Sequence, residues 1–529
     1  MSAMAVEMRF MPFGGLPSDA SSERSEYQII EPVAGTAGQT VEFQISASQA
    51  GMIDLSQTYL LSRLTIAQDA AAGGAGPFDS IKAFEEDEAP EEGFANAMWS
   101  SCELYINGVN VSDSAPGLYP YASWFRNCLT KSQEWASGGL SRYAAAKAGS
   151  GAGTIGEGAT ITAFPELQCQ LLAQPAGWGA ENQGYCLADK AVGSGALLAS
   201  NGGTNLGSVV STPYQSPALA FRQSKVVSAN RLGALHQSEY ITTPNIGIMR
   251  QTGYLPADID IRLVFTKSAP AFYMHGTIGN TPAITWGVAG TCSARLFLKR
   301  VYPTAIMQEH ITKMALERPF RYNTVQSRVQ KTTLGQATSV DVTNLLTGVR
   351  PDVVIVAFIP SKAADGAVSR NPFGSSDVIQ HSGEQNTATA ADAGVQYGYQ
   401  GDYVSSIFVN WGGKQFPMRP MLASSIDDNG EAYAAYLSAT KGGHFGERTP
   451  MISPAGFRAG RKFYTFQLNA DQATAGSHAM DLSDRGSLEV HATIVRNAHF
   501  TEDTTMITCG FHSASVEIDS TRSIRKEGF

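Results

Sequence analysis

An Asn-Gly pair at 107–108 constrains this chain more than any other feature. Before it, Cys102, Leu104 and Ile106 alternate with Glu103 and Tyr105, the period of two that marks a half-buried strand. Asn-Gly supplies the two positive φ angles of a type I′ turn, so Val109-Asn110-Val111 is expected to return antiparallel. A Pro/Gly/Ser turn then leads to Tyr119-Pro120-Tyr121 and a short helical pattern with Tyr121, Phe125, Cys128 and Leu129 on one side. A hairpin closed by an aromatic helix is a packing device, and it carries no evident catalytic group.

The same strand grammar recurs along all 529 residues. With 53 glycines and 24 prolines punctuating short apolar runs, the chain reads as β-rich with long loops, and its length favours two domains. In the first half, strands are expected at Tyr27–Ile30, Val41–Ile45, Ile53–Ile66, Ala220–Val227, Ile259–Phe265 and Ala294–Val301, with His236–Ile246 in a loop. Thr304–Glu317 reads as a helix, with Ile306, Met307, Ile311, Met314 and Ala315 clustered and Pro319 as its stop; it marks the domain boundary. The second half offers Tyr322–Leu334, with Thr324, Gln326, Arg328 and Gln330 on a polar face, then Val340–Leu346 and the wholly apolar Val353–Ile359. A run without alternation is expected to be buried on both faces. Ser405–Trp411, Phe463–Leu468, Gly486–Val495 and Met506–Ile518 complete the strands, and Ala432–Leu437 is a short helix that matches Tyr121–Leu129 of the first half. Seven to nine strands per half suit a β-sandwich.

Three stretches depart from this pattern. Residues 1–24 form an arm, Met- and Phe-containing at first and then polar. Residues 85–92 hold six acids in eight positions, read as a solvated, self-repelling loop. Residues 137–215 are Gly/Ala/Ser-rich, too long for an ordinary connection, and are expected to form an excursion from the scaffold. At the far end, Arg522-Ser523-Ile524-Arg525-Lys526 is a basic cluster, with Arg9 at the near end; a solvated terminus is the expected reading.

Motifs for chemistry are silent. The six cysteines at 102, 128, 169, 186, 292 and 509 show no CxxC spacing, which fits free thiols, although a pair such as Cys169–Cys186 stays open. The nine histidines show neither HxH nor HExxH spacing, and neither a GxSxG elbow nor a phosphate loop occurs. No residue is nominated as catalytic, cofactor-binding or metal-ligating, no cofactor is expected, and the chain is read as a non-enzyme. A net charge of −9 argues against coating nucleic acid. Neither a leader of signal-peptide type nor an 18-residue apolar run is found, so folding in a cytoplasm-like setting is expected.

ELYINGVNVSDSAPGLYPYASWFRNCL at 103–129 resembles a pattern in capsid proteins of polinton-like and adintovirus-like elements: strand, Asn-Gly turn, Tyr-Pro-Tyr, aromatic helix. Met52–Leu60, Ala294–Val301 with the helix after it, VVIVAFIP at 353–360, Asn371-Pro372-Phe373 and Val516–Arg522 resemble further family segments in the same order, from about residue 41 to 525. The resemblance implies an all-β double jelly roll of the adenovirus-hexon-like lineage: two consecutive eight-stranded jelly-roll sandwiches with short helices and long loop insertions. It implies an arm at 1–24, a first roll at 25–303 carrying the 137–215 insertion, and a second roll at 304–529. It further implies a major capsid protein, made in the host cytoplasm, whose homotrimer has a pseudo-hexameric outline and tiles an icosahedral virion. Its partners would be neighbouring capsomers, penton and minor or cement proteins, and an internal membrane reached by the arm, with no sequence-specific nucleic acid.

Two other readings compete. A minor capsid or penton protein of the same lineage would be fivefold. A carbohydrate-binding or glycoside-cleaving sandwich would present an aromatic platform, but the tryptophans at 99, 124, 135, 178, 286 and 411 are dispersed.

Overall fold

The computed structural model describes residues 22–34, 38–47, 51–67, 89–90, 94–112, 117–131, 236–251, 253–275, 283–285, 294–361, 403–424, 428, 430–441, 450–452, 457, 462–468, 485–496 and 503–527. The acidic run apart from Ala89–Pro90, the 137–215 excursion, Ala220–Val227, Asn371–Phe373 and Arg9 lie outside them.

In the first half, β1 (Ser22–Ile30), β2 (Thr40–Ile45) and β3 (Met52–Ala67) are followed by the two-residue β4 (Ala89–Pro90) and helix α1 (Phe94–Ala97). Next come β5 (Trp99–Ile106), β6 (Val109–Asn110), helix α2 (Tyr119–Thr130), β7 (His236–Thr242) and β8 (Ile261–Lys267). Helix α3 (Pro270–Tyr273), β9 (Met274–His275), β10 (Ala283–Thr285) and β11 (Ala294–Pro303) end this half. A back sheet runs β1-β11-β3, with β7 on the far edge of β3. A front sheet runs β2-β8-β5-β6. β10 pairs with the tip of β3, and β9 pairs with β4. Inward-pointing Leu60, Leu296 and Leu298 of the back sheet and Phe43, Leu104, Leu263 and Phe265 of the front sheet make the core.

Helix α4 (Ala305–Glu317) connects to the second half, where β12 (Phe320–Gly335), β13 (Ser339–Val342), β14 (Thr347–Val349), β15 (Val353–Pro360), β16 (Tyr403–Trp411) and β17 (Lys414–Leu422) come first. Helix α5 (Gly430–Lys441), β18 (Tyr464–Gln467), β19 (Arg485–Val495), β20 (Thr504–Ile518) and β21 (Ile524–Glu527) complete it. Its back sheet runs β12-β20-β15-β18 and its front sheet β13-β19-β16-β17, with β14 and β21 as additions to β19 and β20. Taking the eight main strands of each half in chain order, both halves have the order 1-8-3-6 in the back sheet and 2-7-4-5 in the front.

Several expectations need correction. His236–Thr242 is strand rather than loop: seven consecutive pairs join it to β3, so its polar sequence HQSEYIT is carried by the ladder. β1 begins at Ser22, so the last three residues assigned to the arm belong to the first sheet. Lys414–Leu422 is a strand that its two prolines concealed; both are tolerated because β17 is an edge strand. The tail is not a solvated end. Residues 524–527 pair with β20, Arg522 donates to the Asp258 carboxylate at 2.7 Å, and Lys526 donates to the Asn110 carbonyl at 2.9 Å. On β12 the supposed polar face is buried at Thr324 and Gln326. α4 is helical as expected and N-capped by Thr304, yet none of its residues is buried and Ile306 is 83% exposed.

Candidate functional site

The two sandwiches meet along a buried seam, and the seam is built around α2. Pro120 opens the helix where a missing N–H costs nothing. All twelve residues of α2 are buried, not one face only. An apolar helix of this kind buries all round because both sandwiches pack on it. On one side it lies on β5; on the other it lies on β12 and β20 of the second half, and its end meets α5. Phe463, just before β18, joins the two helices: its ring centroid is 5.7 Å from Trp124, 5.8 Å from Phe125 and 5.1 Å from Tyr436, all edge-on.

Within this apolar contact sits a charge. Arg126 is 2% exposed; its guanidinium donates to the Asn245 carbonyl and, at 3.1 Å, to the Val325 carbonyl, and lies 5.7 Å from the Phe511 ring centroid. Asn245 is tied to the same helix, with its side-chain amide donating to Ser123 O at 3.0 Å and to Asn127 Oδ1 at 2.9 Å. A buried guanidinium persists only where its donors meet acceptors, and here those acceptors come from both sandwiches. Two phenols act as further clasps. Tyr119 accepts from the Asn245 amide at 2.8 Å, and Tyr436 of α5 donates to the Cys128 carbonyl of α2 at 2.9 Å. Burial pushes both phenols well above their ordinary range, so they stay neutral.

Backbone approach is close where a one-turn 3-10 helix, Gly247–Arg250, abuts β12. A Cβ at Gly247 would stand 2.1 Å from the Val325 carbonyl oxygen, so only glycine fits. At the other end of the seam, the Asn107-Gly108 turn has the expected positive φ values of 47° and 79°. Asn107 donates from Nδ2 to the Arg522 carbonyl at 2.8 Å, and Tyr322 donates to the Tyr254 carbonyl at 2.9 Å. The hairpin that organised the sequence reading is therefore also a contact between halves.

His491, half-buried on the front sheet of the second half, contacts Asp341, lies 3.0 Å from Asn410 Nδ2 and stacks on Phe408 at 4.7 Å. His512 is fully buried in β20, and burial, aided by the Arg328 guanidinium, brings its pKa down to about 3. Among the described residues no group of three or more His, Cys, Asp or Glu is placed to hold a metal ion, and no helix is long and apolar enough to cross a membrane. Cys102, Cys128 and Cys509 are buried and not joined in disulfides. Sequence reasoning singled out α2 but missed Arg126, Asn245 and Gly247. The available signal was an arginine inside an otherwise uncharged aromatic helix.

No protein-family model matches the chain, and no curated protein matches it in sequence. Solved structures do. A chain of the Sputnik virophage structure superposes with a TM-score of 0.52 at 12% identity, covering 97% of this chain and 90% of that one. The fold is a double jelly roll. Two further structures are similar over the same span: the Faustovirus major capsid protein, with a TM-score of 0.46, 9% identity and coverage of 97% and 94%, and the mavirus major capsid protein, with 0.45, 8% and coverage of 97% and 91%. In jelly-roll terms, α2 and α5 occupy the same place in their respective rolls, between the fifth and sixth main strands.

Proposed function

We propose that this double jelly roll is a virion building block: a major capsid protein whose homotrimer has a pseudo-hexameric outline and tiles an icosahedral shell. The observation that carries this reading is the repeat of one strand order in two sandwiches locked side by side by a buried seam. Two like units fixed in one polypeptide let a threefold ring present six similar sandwiches, the shape that packs a hexagonal lattice. In this reading the rolls divide at 303/304, the arm ends before β1 at Ser22, and 137–215 is an insertion in the first roll. Neighbouring capsomers are the main partners, and penton, minor or cement proteins and an internal membrane are further ones. The chain acts as architecture and not as an enzyme. Native mass measurement of the purified chain is expected to give about three times the 56.2 kDa chain mass, with hexagonal outlines in negative stain. A single-chain or two-chain particle at all concentrations rejects the reading.

A further inference from the structure

A cleft of about 580 Å³ opens on the first roll, where its back sheet meets α1, the end of α2 and the one-turn helix at 247–250. That volume is in the range of small-molecule sites. Three asparagines, Asn96 of α1, Asn127 of α2 and Asn245 after β7, converge on its floor beside Ala95 and Met249, and all five are buried.

Two of the three amides are accounted for, and one is not. Asn96 Oδ1 accepts from the Tyr119 hydroxyl at 3.3 Å and the Thr242 hydroxyl at 3.1 Å. Asn245 Nδ2 donates to the Ser123 carbonyl at 3.0 Å and to Asn127 Oδ1 at 2.9 Å. Asn127 is 3% exposed, and its Nδ2 is buried without an acceptor. Turning that amide over would set its NH2 against the NH2 of Asn245, which the Ser123 carbonyl holds in place, so a flip brings no relief. An unpaired buried donor is costly, and folded proteins hold few of them. With Oδ1 held by Asn245, Nδ2 is the atom that Asn127 has left to offer the cleft it lines.

The mouth of the cleft is aromatic. Tyr27 of β1 is 45% exposed at the rim. It leans on Tyr59 at 5.3 Å, and Tyr59 stacks on Phe297 at 5.1 Å, so the Tyr27 ring is held from behind. A phenol presents an apolar face with a polar tip, which suits a ligand that is flat and apolar on one side and hydroxylated at its edge. Ser56, Gln57 and Thr243 add a polar wall, and none of the described residues lining the cleft is acidic.

We propose that this cleft binds an N-acetylated sugar: the acetamido carbonyl accepts from Asn127 Nδ2, its methyl rests on Ala95 and Met249, and the pyranose ring lies against Tyr27. An acetamido group joins one acceptor to one methyl, which are the two things the floor can receive. Neutral N-acetylhexosamines and acidic N-acetylated sugars share this group; the acidic kind also brings a carboxylate to the rim, where Lys131 and Arg250 stand. The site adds a ligand to a protein read above as architecture, and it does not depend on the trimer.

Saturation-transfer NMR on the purified protein in its native assembly tests it with three probes: methyl N-acetyl-β-glucosaminide, methyl β-glucoside and the methyl α-glycoside of N-acetylneuraminic acid. Transfer is expected to be strongest at the acetyl methyl and at least tenfold weaker to the glucoside, since a site built around a hydrogen bond rejects the analogue that cannot make it. The ratio of the two N-acetylated probes tells a neutral ligand from an acidic one. Tyr27→Ala, at an exposed position, keeps the fold and is expected to bind at least fivefold more weakly, whereas Met418→Ala, 97% exposed on β17, binds as the wild type does. Asn127→Asp keeps the acceptor for Asn245, removes the donor and is expected to lose the acetyl signal; if it does not fold, Tyr27→Ala and the glucoside comparison decide. No transfer to either N-acetylated probe, equal transfer to the glucoside, or a full signal in Tyr27→Ala overturns the site.

Discussion

The back sheet of the first roll and that of the second have one topology and two fates. The second is sealed on both faces, inward by its own front sheet and outward by α2 and α5; among the described residues the first is sealed inward only. Their sequences record the difference. β15 reads VVIVAFIP without alternation, while its counterpart β3 reads MIDLSQTYLLSRLTIA and leaves Ser56, Gln57, Tyr59 and Leu61 exposed or half-buried. A strand's hydrophobic pattern therefore reports how many neighbours it has in the finished chain, and not where it sits in the topology.

Four measurements break or sharpen that contrast. The largest effect is expected from acid, acting on the covered sheet. His512 is neutral when folded and titrates near its ordinary value when unfolded, so the unfolded state binds the extra proton between pH 6.5 and 3. Stability should fall as pH drops through that window, by on the order of 4 kcal/mol at its foot. His512→Leu should flatten the dependence in urea melts at stepped pH; an unchanged slope means that other groups set it. Next, Arg126→Met keeps the side-chain bulk but strands the Asn245 and Val325 carbonyls, a loss of about 3 kcal/mol in chemical denaturation. Arg262→Met, which removes an exposed ion pair with Glu42 on the front sheet of the first roll, should leave the midpoint in place. Equal responses would mean that the seam charge is no different from a surface one.

Gly247→Ala forces the 3-10 turn away from β12 and should cost about 2 kcal/mol by the same assay. Gly108→Ala is informative beside it: no atom stands within 4 Å, and only the positive φ opposes the change. The smallest effect is expected for Tyr436→Phe, which removes the bond to the Cys128 carbonyl, about 1 kcal/mol. Scanning calorimetry of that variant should begin to separate the two rolls into distinct transitions; a single unshifted peak would show that α5 contributes little to the lock.

How much of this was legible depended on which neighbour decided each segment. The 102–129 stretch read correctly because its turn, alternation and helix are local properties, and the structure places all three. Val353–Ile359 read correctly because burial on both faces leaves an apolar run. β7 did not, since HQSEYIT acquires its strand character from pairing with β3, a partner some 170 residues earlier in the sequence. β17 did not, since Pro417 and Pro420 are permitted only by its edge position. Thr324 and Gln326 were assigned to water for the same reason: the sequence of one strand does not contain the surface laid over it. The seam residues Arg126 and Gly247 take their meaning from Val325, on a strand of the other roll.

The small strand β21 has a consequence for biosynthesis. It follows every other described strand, yet from its vicinity Arg522 and Lys526 reach back to Asp258 and Asn110 of the first roll. A nascent chain can fold its first roll early, but this clasp forms only after the last of the second has left the ribosome. Truncated products lack it, so the hairpin at 107–108 stays unlatched in any molecule whose synthesis stopped before Arg522.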